Sequence, residues 1–157
     1  MSNPLDARYR VMKKLPVLLC VFLLSACAPS EVPYDKLLER NGLKYEINSQ
    51  TGFTGVATVY YENGQLDTKD TYKDGKLNGI YEEYYEDGQL SWKQTYKDEK
   101  PNGLNESYYE NGQLHYKSTY KDGKRHGLSE DYTENGQVYP MCYKNGEKVD
   151  ISRCKSL

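Results

Sequence analysis

The chain has 157 residues, of which 28% are charged and 37% hydrophobic, and a formal net charge of −2 at pH 7. That length holds one domain plus whatever precedes it, and beyond residue 26 Lys and Arg are interleaved with Asp and Glu, so no positive face forms there for nucleic-acid phosphates. The two histidines, His115 and His126, read as solvated surface residues rather than ligands or bases. Neither a CxxC spacing nor a Cys/His cluster points to a metal.

The N-terminal segment does not read as folded protein. Arg8, Arg10, Lys13 and Lys14 form a basic region, Leu15 to Leu24 a short apolar one, and Leu24-Ser25-Ala26-Cys27 follows. This is the pattern of an export signal over residues 1–26, too short to span a bilayer as a helix; a signal starting at Met12 is complete by itself. The closing Leu-Ser-Ala-Cys resembles the lipobox of bacterial lipoproteins. By that resemblance Cys27 is acylated on its sulfur and becomes the N-terminus after cleavage behind Ala26. An ordinary signal with an incidental cysteine is the alternative. Cleavage removes four basic residues and one acidic one, which leaves a mildly acidic chain. Each buried acyl methylene contributes about 0.8 kcal/mol, so several chains give a stable anchor. Ala28, where Asp would retain a lipoprotein at the inner membrane, resembles the outer-membrane pattern of enteric-type bacteria. The expected location is the cell envelope, lipid-anchored, facing the periplasm or the surface.

Residues 27–36, with Ala, Pro and Ser, read as a membrane tether. Residues 37–54 read as a degenerate opening hairpin turning at Asn41-Gly42, with a helix over residues 33–40 as the alternative. From 55 to 150 one phrase recurs four times with a period of 24 residues, opening at Gly55, Gly79, Gly103 and Gly127. Each copy turns at Asn63-Gly64, Asp87-Gly88, Asn111-Gly112 or Asn135-Gly136, and closes at Asp74-Gly75, Asp98-Glu99, Asp122-Gly123 or Asn145-Gly146. Two short strands rich in Tyr, Thr and aliphatic residues flank each internal turn, so the array is an all-β, single-layer antiparallel meander of hairpins. If Asn-Gly is a two-residue loop, Tyr61 faces Leu66, Tyr85 faces Leu90 and Tyr109 faces Leu114, while Glu82 meets Lys93 and Glu106 meets Lys117. A three-residue loop with a Gly bulge shifts the pairing by one and exchanges these partners.

Seventeen Tyr against two Phe and one Trp suit a sheet whose faces are half wet, since the ring covers neighbours while the hydroxyl reaches water. Asp98-Glu99 replaces the closing Asp-Gly and Pro101 follows, so a local distortion is expected there. The fourth repeat is one residue short between Gly136 and Tyr143 and carries Pro140, as befits a cap. Cys142 and Cys154 remain in the folded part; an even pair in an exported chain favours a disulfide, and two free thiols are the alternative. Residues 151–157 read as a C-terminal tail.

Tyr120-Lys121-Asp122-Gly123-Lys124-Arg125-His126-Gly127 and the earlier Tyr72-Lys73-Asp74-Gly75-Lys76-Leu77-Asn78-Gly79 resemble the core of MORN repeats. Tyr60 to Leu66, repeated at Tyr108 to Leu114, is similar to the bacterial MORN-repeat variant. The resemblance covers about residues 53–150 and implies a binding or scaffolding role; many bacterial members are labelled antitoxins of toxin-antitoxin systems. No constellation of catalytic groups is present, so the chain reads as a non-enzyme without a cofactor. The expected function is a membrane-anchored lipoprotein whose repeat sheet binds an unidentified envelope or secreted protein, with an antitoxin- or immunity-like role in view. Trp92, Tyr116, Tyr85 and Tyr109 are the candidate binding surface. Envelope glycan or peptidoglycan binding, or passive scaffolding, is the alternative. Free sheet edges leave an edge-strand homodimer open.

Overall fold

The computed structural model describes residues 29–156. The signal segment and Cys27 lie outside them. One ten-stranded sheet dominates, in the order β1 (Glu31–Pro33), β4 (Gly55–Tyr60), β5 (Leu66–Lys73), β6 (Lys76–Tyr84), β7 (Leu90–Lys97), β8 (Lys100–Tyr108), β9 (Leu114–Lys121), β10 (Lys124–Tyr132), β11 (Val138–Lys144) and β12 (Glu147–Val149). Every pairing is antiparallel except β1 with β4. β2 (Leu37–Arg40) and β3 (Leu43–Glu46) form a separate hairpin turning at Asn41 and Gly42, both at positive φ. The predicted single-layer meander is the observed one. Of the alternative helix only a single 3-10 turn exists, at Tyr34–Lys36.

Two segments depart from their sequence reading. Glu31–Pro33, read as tether, pairs in parallel with β4, because an uncovered strand leaves backbone donors and acceptors that take any available partner. Pro33 is tolerated there because the strand is an edge. Residues 151–156, read as tail, form a 3-10 helix fixed to β11 by the Cys142–Cys154 disulfide, with Cα atoms 5.6 Å apart.

The internal turns take the three-residue form. Tyr61 N–H donates to Gln65 O and Gly64 N–H to Tyr61 O, both at 2.9 Å, and Asn63 Oδ1 accepts from Gln65 N–H. Only the glycine has positive φ. The expected Tyr61–Leu66, Tyr85–Leu90 and Tyr109–Leu114 pairs are therefore replaced by Tyr60–Leu66, Tyr84–Leu90 and Tyr108–Leu114. A second irregularity then places one extra residue, Asp67, Ser91 or His115, in the returning strand and restores the original register. Glu82 consequently still meets Lys93 at 3.1 Å, and Glu106 still meets Lys117 at 3.2 Å. In the fourth repeat Tyr132 pairs with Val138 and the register runs unbroken to Gly127 and Tyr143, so the missing residue is the bulge itself.

All four closing turns share one geometry. Asp74/Gly75, Asp98/Glu99, Asp122/Gly123 and Asn145/Gly146 have positive φ at both positions, and Lys97 pairs with Lys100 across Asp98-Glu99 as Lys73 pairs with Lys76. The expected distortion is thus confined to Glu99, held at φ 65° in a region that favours glycine. What holds it is a bond between repeats. Glu99 N–H donates to Leu77 O at 2.9 Å, as Gly75 does to Phe53 O, Gly123 to Pro101 O and Gly146 to Arg125 O. Glu99→Gly should raise stability by about 1 kcal/mol in chemical denaturation by relieving this strain. An unchanged or lowered midpoint would contradict that reading.

The hydrophobic cluster sits at one end of the sheet. Leu37, Phe53, Ala57 and Tyr72 are buried together, with Val32, Tyr34 and Leu77 against them. The β2–β3 hairpin is tied down by Lys44 N–H to Gly75 O at 2.9 Å and Phe53 N–H to Lys44 O at 2.8 Å. It thereby caps the first repeat, as the disulfide and its helix cap the last.

Candidate binding surface

Residues paired across antiparallel strands share a face, so the register sorts the side chains. One face carries the row Thr68, Glu83, Trp92, Ser107, Tyr116, Asp131, Tyr139 across β5 to β11. Beside it runs Ala57, Asp70, Tyr81, Gln94, Asn105, Ser118, Ser129, Met141. Most of this second row is buried: Gln94, Ser118 and Ser129 are each 1% exposed, although no second sheet covers them. Rings do so instead. Trp92 meets Tyr81 edge-on at 5.2 Å between centroids, Tyr81 meets Tyr96 at 6.3 Å, and the Arg125 guanidinium lies 4.7 Å over Tyr143.

Several of the buried polar groups of this row are hydrogen-bonded, while Ser118 Oγ and Asp70 Oδ1 have no partner among the described residues. Asn105 Nδ2 donates to Gln94 Oε1, Gln94 Nε2 donates to Thr95 O at 2.8 Å, and Ser129 Oγ donates to Tyr116 Oη at 3.0 Å. Asp70 receives only a long bond from Tyr72 Oη on Oδ2, and burial pushes its carboxyl above the ordinary range. Burial and the Glu83 carboxylate, which accepts from Tyr81 Oη at 2.6 Å, raise the Tyr81 hydroxyl. It stays a proton donor at any physiological pH.

Trp92 and Tyr116 lie in one row, both paired to Ser107 from opposite sides. They stand two strand spacings, about 10 Å, apart. The small Ser107 stands between them in the row, with Glu83 and Asp131 as the next members outward. Tyr85 and Tyr109 are not part of it. They follow β6 and β8 at the loop edge, and their hydroxyls donate to Tyr108 O at 2.6 Å and Tyr132 O at 2.8 Å, as Tyr61 does to Tyr84 O. This ladder fastens each repeat to the next. At the opposite edge His126 Nδ1 lies 3.1 Å from Asn145 Oδ1, in the position where Asn78 and Asn102 reach the following closing turns. His115 is a bulge residue, exposed, with its ring 4.4 Å from Tyr109.

The other face carries Lys69, Glu82, Lys93, Glu106, Lys117 and Glu130 in one row. Flanking it are Tyr84, Tyr108 and Tyr132, whose hydroxyls donate to Glu82, Glu106 and Glu130. Burial and the Glu82 charge push the Tyr84 hydroxyl up to about 12. On the other side stand Ile80, Leu104 and Leu128, exposed at 41%, 37% and 41%. The sequence reading missed this aliphatic line; its signal was an aliphatic residue one position after each opening glycine.

Residues 53–74, 77–98 and 101–122 match the family model of the MORN repeat variant. Three of the four repeats of the array are thus similar to MORN repeats of this variant. The match stops at residue 122, whereas the sheet continues through β10 and β11 with a fourth hairpin that lacks the bulge. No curated protein and no solved structure matches the chain. The similarity to MORN repeats suggests a repeat-based binding module, and among the described residues the side chains form a periodic surface.

Proposed function

We propose that this chain is an envelope lipoprotein, anchored through acylated Cys27, that binds a protein partner on the aromatic face of its MORN sheet. The observation that carries the reading is the row Trp92–Ser107–Tyr116, two aromatic residues flanking a small one. With their strands about 10 Å apart and only a serine between, the two aromatic residues would frame a notch for one inserted side chain. The row neighbours Glu83 and Asp131 favour a cationic or polar one. The N-terminal hairpin packs over this face only at the first repeat, which leaves the notch uncovered. An immunity- or antitoxin-like role follows if the partner is a toxin met outside the cytosol. The outer membrane is the expected site because Ala28 follows Cys27.

The reading predicts that Trp92→Ala and Tyr116→Ala each reduce capture of the partner from native envelopes at least severalfold, and that Ser107→Phe, which fills the notch, does the same. The circular dichroism spectrum should not change. Cys27→Ala should move the chain out of the membrane fraction without altering binding in solution. Undiminished capture by all three notch variants would place the site elsewhere. Sugar stacking on the same two rings is the second reading, favoured by their polar surroundings. Retention on protease-treated sacculi would select it over a protein partner.

A further inference from the structure

The face opposite the notch has a regular alternation. Strands β5, β7 and β9 carry a lysine and a threonine on it: Lys69 with Thr71, Lys93 with Thr95, Lys117 with Thr119. Strands β6, β8 and β10 carry a glutamate and an aliphatic residue: Glu82 with Ile80, Glu106 with Leu104, Glu130 with Leu128. In the third row the first set carries Leu66, Leu90 and Leu114, the second Tyr84, Tyr108 and Tyr132. Charge, size and ring character thus alternate in phase, strand by strand.

We propose that this ladder face is a homodimer interface, in which a second copy packs sheet on sheet about a two-fold axis parallel to the strands and between β7 and β8. Such an axis keeps the height of each row and reverses the strand order, so β7 lies over β8 of the other copy, β6 over β9 and β5 over β10. Each glutamate then faces a lysine: Glu106 faces Lys93, Glu82 faces Lys117 and Glu130 faces Lys69. Ile80, Leu104 and Leu128 face Thr119, Thr95 and Thr71, a large residue over a small one in each case. Tyr84, Tyr108 and Tyr132 face Leu114, Leu90 and Leu66. An axis through a single strand would instead set glutamate on glutamate and leucine on leucine.

The ionic row keeps capacity for this contact. In the Glu82–Lys93 and Glu106–Lys117 pairs the lysines are 35% and 42% exposed while the glutamates are 17% and 15% exposed. Each ammonium has three donors, so the outward ones can reach a carboxylate of the second copy. Sheets pack with aligned strands at a spacing of about 10 Å, and six strands span about 24 Å. That is a small interface, suited to a reversible dimer. It leaves the aromatic face outward on both copies.

The test uses two full-length chains with different tags, Ile80→Cys and Thr119→Cys, expressed together and treated in intact cells with a thiol crosslinker spanning about 10 Å. The parent chain sets the background. Ile80 and Thr119 face each other in the dimer, whereas each lies three strand spacings, roughly 17 Å diagonally, from its own copy. Mixed product severalfold above either self product is expected, and Leu104→Lys, at a position already 37% exposed in the single chain, should abolish it while leaving the melting curve unchanged. Absence of mixed product, self products equal to it, or persistence in a normally folded Leu104→Lys chain would overturn the proposal.

Discussion

Phe53→Ala should cost about 3–5 kcal/mol, the range for emptying a buried aromatic site. Phe53 is 4% exposed, its ring lies 6.0 Å from Tyr72, and it shares the cluster that holds the β2–β3 hairpin to the first repeat. Among the described residues this is the only buried hydrophobic cluster, so no other core compensates. The loss should be local in character, because in a repeat array each unit depends on its neighbours. Chemical denaturation should show the lowered stability, and hydrogen exchange should show protection lost first in β2 to β5 and retained longest in β8 to β10. A cost below about 1 kcal/mol would mean that the hairpin is not a cap.

Opening the disulfide at the other end should cost about 2–3 kcal/mol, from the entropy of a loop of this size. Cys154 lies 12 residues from Cys142, which is fully buried in β11. Cys154→Ala isolates the effect, since it leaves Cys142 as a small buried hydrophobe. The parent chain should lose the same stability when a reductant is added, and the variant none. A melting midpoint indifferent to reductant in the parent would contradict this.

The sequence displays some of these features and hides others for physical reasons. The period of the glycines and of the Asp-Gly and Asn-Gly turns is local chemistry, and it led directly to the meander and to the Glu82–Lys93 and Glu106–Lys117 pairs. The bulges at Asp67, Ser91 and His115 are not local: a bulge is a count of two residues against one across strands, invisible until both strands are placed. The residue missing from the fourth repeat was its trace. Gly79 shows the same limit. It marks the repeat in sequence, but only the structure shows that a Cβ there would come within 2.7 Å of Thr71, where the register between β5 and β6 shifts. Residues 31–33 read as membrane tether by composition, and their strand comes from the need of β4 for a partner. Of the four candidate surface residues, the register sets Trp92 and Tyr116 in one row, whereas the three-residue turns put Tyr85 and Tyr109 at the loop edge, where their hydroxyls pin neighbouring repeats.

The central claim is that the aromatic face engages a partner protein, and site-specific photocrosslinking in the native envelope tests it most directly. A photoreactive phenylalanine analogue replaces Tyr116 in one full-length chain and Leu104 in another. The account predicts a single non-self protein adduct from position 116, lost when Trp92→Ala is added, and only a self adduct from position 104. A partner adduct at position 104 with none at 116, or no saturable protein adduct from position 116, would contradict it.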